Sequence, residues 1–243
     1  VNPDAYLVHL QADGGRLLAA AKTEPTANVP SCPDWDLAGL VKHIGGAHRW
    51  VQSMVAARAT EMLPFPHGPE DWPAVADWYE EGLAALATAL RSAGPDAPVW
   101  NWVANGAGPA IFWFRRMAHE TSIHSWDAEN AVGEPRPIDA ELAADGIDEA
   151  IGMLAMRLSM QPEPALDGSI GIETTDAAFS RTLRLTPGAL EQADGTDSTG
   201  ATVRGTASDI LLWLTGRSGS RTSSVVVDGD RGLADAIGGI KFG

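Results

Sequence analysis

The chain has 243 residues, enough for two modest cores, and the composition of an ordinary globular protein, with 44% hydrophobic residues. Its net charge of −15, carried mostly before residue 157, argues against nucleic acid as a partner, and no apolar run approaches the roughly 20 residues of a membrane span. The N-terminus has no basic segment leading into an apolar one, so the sequence predicts a cytoplasmic protein. A single cysteine, Cys32, excludes an internal disulfide framework and a multi-thiolate zinc site, which leaves His and carboxylates as the available metal ligands.

Asn2-Pro3 reads as a helix entry, and Tyr6, Leu7, Leu10, Leu17 and Leu18 recur at helical spacing as far as about Ala21. A polar, Pro-rich loop follows, and Asp36 caps a second helix from Leu37 to about Arg58 that carries His43 and His48. On a helical wheel His48 falls within the stripe of Leu37, Val41, Ile44, Val51 and Val55, whereas His43 lies on its flank. A third helix runs from Glu70-Asp71 to about Ser92, and residues 94–109 read as a long connection that packs Trp100 and Trp102 over the mouth of a pocket. The fourth helix spans about Ala110 to Ala131, with Gly133 as its stop.

A fifth helix, capped by Asp139, extends to about Ser159 and is broken by Gln161-Pro162-Glu163-Pro164. The pattern then changes to strands at Ser169 to Thr175, Ser180 to Thr186, Thr202 to Gly205 and Ser223 to Val227, with short helices at Ser208 to Leu214 and Gly232 to about Ile240. The expected architecture is α+β: a helical bundle over 1–160 followed by a small α/β domain over 165–243.

All six His and eight of the nine Trp precede residue 127, so the chemistry is expected in the first part. On the fourth helix Glu120 and His124, four residues apart, project from one face, while His119 points about 100° away. A chain of this composition produces about one such acid–His pair by chance, so the pair needs a third ligand, which one His of the second helix can supply. Asp127, three residues beyond His124, can hold the proton of its other ring nitrogen; its plainer role is a surface ion pair with Arg115 or Arg116. Arg217 ends an apolar helix, where a cation suits the helix C-terminus, but its guanidinium also suits a substrate carboxylate. Cys32 has no His near it in sequence to activate it and is assigned no role.

Three segments carry a resemblance: residues 29–46, with Cys32-Pro33-Asp34-Trp35-Asp36-Leu37 leading to His43-Ile44-Gly45-Gly46; residues 119–129, with His119-Glu120-Thr121-Ser122-Ile123-His124-Ser125-Trp126-Asp127; and residues 201–217, ending in Leu214-Thr215-Gly216-Arg217, followed by Val225 to Asp230. Together they resemble the mycothiol-dependent maleylpyruvate isomerase family over nearly the whole chain. The resemblance implies a DinB-like four-helix bundle followed by a sterol-carrier-like α/β domain. It implies a zinc site of His43, Glu120 and His124, choosing His43 over His48, and it places the family's arginine at Arg217. Asp36 stands where the family more often has Thr, which preserves a capping side chain.

The implied reaction uses mycothiol as the small-molecule thiol: its thiolate adds to a cis double bond, the bond rotates as a single bond, and expulsion of sulfur leaves the trans product. The same apparatus serves a mycothiol S-transferase acting on an electrophile, and a metal-containing binding protein is the non-enzymatic alternative.

Overall fold

A computed structural model describes residues 1–161, 166–196, 199–217 and 224–238. The chain divides into two units, 1–136 and 137–243. Among the described residues no helix is long and apolar enough to cross a membrane.

The first unit is a four-helix bundle of α1 (Pro3–Thr23), α2 (Leu37–Ala57), α3 (Trp72–Ala93) and α4 (Ile111–Val132), in which α1 packs on α4 and α2 on α3. The caps follow the sequence, since Asn2 accepts the Ala5 amide at 2.8 Å and Asp36 accepts that of Gly39 at 2.8 Å. Leu17, Leu18 and Ala21 of α1, Leu37, Leu40, Val41 and Ile44 of α2, Val75 and Tyr79 of α3 and Ala128 of α4 share one core. Helix α2 approaches α3 closely at Gly45, where a Cβ would stand 2.7 Å from the Trp78 ring.

The stretch 94–109, expected as an irregular connection, contains a hairpin of β1 (Pro98–Asn101) and β2 (Gly106–Pro109). Its turn is made possible by Asn105 (φ 49°) followed by Gly106, and the Asn101 side chain accepts the Ala104 amide at 2.8 Å. Trp100 and Trp102 pack in an aromatic cluster with Trp113, which also touches Trp50 and Phe112, and the Trp113 ring N–H donates to the Trp100 carbonyl at 2.7 Å.

Between Met117 and Ala128 every residue of α4 except Glu120 is buried, including His119, Thr121, Ser122, His124, Ser125 and Asp127. Over this stretch α4 is enclosed, and some of its polar side chains reach across to other elements: Ser122 donates to Asp13 of α1, which Arg16 also contacts at 3.1 Å.

The second unit holds α5 (Ala140–Met160), β3 (Gly168–Thr174), β4 (Ser180–Thr186), β5 (Ala189–Asp194), β6 (Ala201–Gly205), α6 (Ala207–Leu214), β7 (Val226–Gly229) and α7 (Arg231–Ile237). Its sheet runs in the order β5-β4-β3-β6-β7, with β3 and β6 parallel and the other pairs antiparallel. Strand β5, Ala-Leu-Glu-Gln-Ala-Asp, lacks the β-branched and aromatic residues of a recognisable strand; it forms because Pro187-Gly188, with Gly188 at φ 83°, folds it back onto β4.

The boundary falls earlier than the break at 161–164 suggested. Helix α5 packs against α6 and β5 and so goes with the sheet, while Gly133, Pro135 and Pro137 interrupt the chain before it. Residues 162–164, the beginning of the expected strand at Ser223 and the end of the expected helix at Ile240 lie outside the described residues.

Candidate metal centre

Helices α2 and α4 bring His43, Glu120 and His124 together, with one ligand atom of each within 4.8 Å of the others. Glu120 Oε1 lies 3.3 Å from His124 Nε2 and 3.8 Å from His43 Nε2. Donor atoms bound at about 2.0–2.1 Å to one tetrahedral ion stand about 3.4 Å apart, so two nitrogens and one oxygen at these separations fit zinc. Side-chain exposure falls from 35% at His43 to 17% at Glu120 and 9% at His124, and the cluster therefore opens to solvent on its His43 side.

Each donor has a second partner that orients it. His124 turns Nδ1 to Asp127 Oδ2 at 2.9 Å, which directs Nε2 towards Glu120. Asp127 is fully buried and accepts a hydrogen bond from Ser31, so it faces the interior and not the surface. Arg116 instead donates to Glu120 Oε2, leaving Oε1 directed at the two histidines. The Trp35 ring lies 4.6 Å from that of His43 and steadies it.

The charges follow from these contacts. Burial would raise the Glu120 pKa, but Arg116, His124 and His43 together hold it well below the ordinary carboxylate value. Burial would lower that of His124, yet the Asp127 and Glu120 carboxylates raise it above its usual position. His48, the more buried of the two α2 histidines at 1% exposure, stands outside the cluster: its Nε2 is hydrogen-bonded to Thr121 Oγ1 at 2.8 Å. Burial, against a smaller upward pull from Glu120, pushes its pKa down to about 3. His119 is buried against Tyr6 of α1.

The sequence did not show where the loop carrying Ser31 and Cys32 lies. Mutual hydrogen bonds fold the 24–36 loop back on itself, Val29 N–H to the Trp35 carbonyl at 3.0 Å and Leu37 N–H to the Ala27 carbonyl at 3.0 Å, and Ser31 reaches Asp127. Donor atoms of Cys32, His124 and Asp127 lie within 4.8 Å of one another, so distance along the chain was a poor guide to the surroundings of the thiol. Arg116 had a usable signal, its i,i+4 spacing from Glu120. In the second unit Arg217 follows α6, where its Nη1 donates to the Thr215 carbonyl at 2.7 Å.

A helical bundle with a His/Glu donor set on facing helices, joined to an α/β unit with a mixed sheet, defines the class of protein. Residues 7–129 match the mycothiol maleylpyruvate isomerase N-terminal domain and residues 141–236 the MDMPI C-terminal domain, and the chain belongs to that family. Two crystal structures of a mycothiol-dependent maleylpyruvate isomerase, one of a histidine-to-alanine mutant, are similar in fold. They align with a TM-score of 0.63 over 94% of this chain and 93% of theirs, at 16% identity for the mutant and 14% for the other. A comparison with curated protein sequences gives no match.

Proposed function

We propose that the chain is a zinc-dependent isomerase that uses mycothiol to convert a cis-unsaturated keto acid of the maleylpyruvate type to its trans isomer, in the cytoplasm. The observation that carries this reading is the convergence of His43, Glu120 and His124 on one point, in a chain of this family. These three side chains would hold the metal. Zinc bound there supplies a means of keeping an external thiol deprotonated at neutral pH.

The remaining roles belong to the chain's own residues. Asp127 keeps the proton of His124 on Nδ1, so that Nε2 presents a lone pair. Arg116 keeps Glu120 ionised and occupies its second oxygen. The open His43 side admits the thiol and the substrate, while the buried side excludes water behind His124. Arg217, whose planar fork matches a carboxylate, is assigned the binding of a substrate carboxylate.

The test is turnover of maleylpyruvate by zinc-loaded protein with mycothiol, followed by product analysis and thiol titration together. The reading requires trans product with the thiol titre unchanged. Stoichiometric loss of thiol into a stable conjugate makes the protein an S-transferase, and absence of both products makes it a binding protein.

A further inference from the structure

The two helices that carry the candidate ligands also meet at a buried side-chain hydrogen bond, between His48 Nε2 of α2 and Thr121 Oγ1 of α4 at 2.8 Å, with the two residues 1% and 0% exposed. Thr121 directly follows Glu120, and His48 lies five residues beyond His43, about 7.5 Å along α2. The His48 ring stands 5.5 Å from that of Tyr79 on α3, and the Tyr79 hydroxyl donates to the Gly14 carbonyl of α1 at 3.1 Å. One line of contacts therefore crosses all four helices at the level next to the cluster.

Apolar packing is non-directional, and a helix held by it alone can rotate or slide slightly at little cost. A hydrogen bond weakens steeply with angle and distance, and a buried one left unmade exposes nothing to water in exchange. A slip of α2 by one residue, a rise of about 1.5 Å with about 100° of rotation, would separate His48 from Thr121 and His43 from Glu120 in the same movement. We infer that His48 and Thr121 are positioning residues, a latch that fixes the height and rotation of α2 against α4 and thereby the distance of His43 from Glu120 and His124. This rests on the assignment of those three residues as metal ligands.

Zinc and cobalt(II) binding to the metal-free protein tests the latch in wild type, Thr121→Val, Thr121→Ser, His43→Ala and the His43→Ala/Thr121→Val double variant, with unfolding of each metal-free protein measured alongside. Thr121→Val, nearly isosteric, should lower metal affinity about 10-fold and change the cobalt absorption spectrum, as loss of an outer support does. Thr121→Ser should restore both. In the His43→Ala background the same Val substitution should change the residual affinity less than about twofold, because the latch acts through His43. A Thr121→Val protein that is less stable but binds cobalt with unchanged affinity and spectrum overturns the inference, as does a full 10-fold loss in the His43→Ala background. A wild type that binds no zinc overturns the metal centre and the latch together, so the two failures are distinguishable.

Discussion

His124 and Asp127 are three residues apart on α4 and face each other at 2.9 Å between Nδ1 and Oδ2, in a part of the helix closed to water. Asp127 thus determines which nitrogen of His124 is presented to Glu120. Asp127→Asn keeps the shape but removes the charge, and zinc affinity should fall about 10- to 100-fold. In the metal-free protein the His124 pKa should drop, since burial then opposes Glu120 alone. Zinc competition and NMR titration of the ring measure the two effects.

Arg116 does the corresponding work for Glu120. Removing the guanidinium with Arg116→Met leaves burial, which raises the Glu120 pKa, opposed only by the two histidines. Protons then compete with the metal at higher pH. The variant should lose more zinc affinity relative to wild type at pH 5 than at pH 7, as read by competition with a chromophoric chelator. An equal loss at both values would assign Arg116 a packing role alone.

His48 makes the metal-free protein sensitive to acid. Its pKa is about 3 in the folded chain against 6.5 unfolded, so above pH 6.5 neither state is protonated and the residue costs nothing. As pH falls from 6.5 towards 3 the unfolded chain takes up a proton that the folded chain refuses, and stability declines by about 1.4 kcal/mol per pH unit. His124 acts in the opposite sense: its raised pKa contributes stability that is fully present below 6.5 and is lost as pH rises through its folded value. Denaturant unfolding between pH 6.5 and 4 should give His48→Gln a pH slope shallower than wild type by about one proton.

The sequence made some of this visible and hid the rest for physical reasons. Caps at Asn2 and Asp36, the stripe on α2 and the acid–His spacing on α4 are local signals, and they led to four helices and to Glu120 with His124. The wheel found His48 to be the more buried histidine, but burial is no measure of ligation. His43, on the open flank, joins the cluster. Helix α4 gave little phase information beyond the pair because polar residues are buried all round it, and the partners of Thr121, Ser122 and Asp127 come from other parts of the chain that periodicity cannot reveal. The β1–β2 hairpin was announced only by Asn105-Gly106, β5 by a turn rather than by its own residues, and the approach of Ser31 and Cys32 to α4 by nothing local. Helix α5 resembles a bundle helix in pattern, yet its apolar face serves α6 and β5.

Arg217, in the second unit, is the residue proposed to bind the substrate carboxylate. Arg217→Lys keeps the charge but loses the fork that matches a carboxylate. With zinc content unchanged, kcat/KM for a carboxylate substrate should fall about 10-fold, chiefly through KM, and Arg217→Ala should fall further. An Arg217→Lys enzyme with wild-type kcat/KM would restrict the residue to the end of α6, where it already contacts the Thr215 carbonyl.

The most direct test of the account is the zinc content of wild type and His43→Ala, each purified under the same conditions and measured together with the folded fraction. One zinc per wild-type chain, and a large loss in a folded His43→Ala protein, is the predicted result. Equal zinc in the two proteins contradicts the assignment of His43 as the ligand that α2 contributes beside Glu120 and His124.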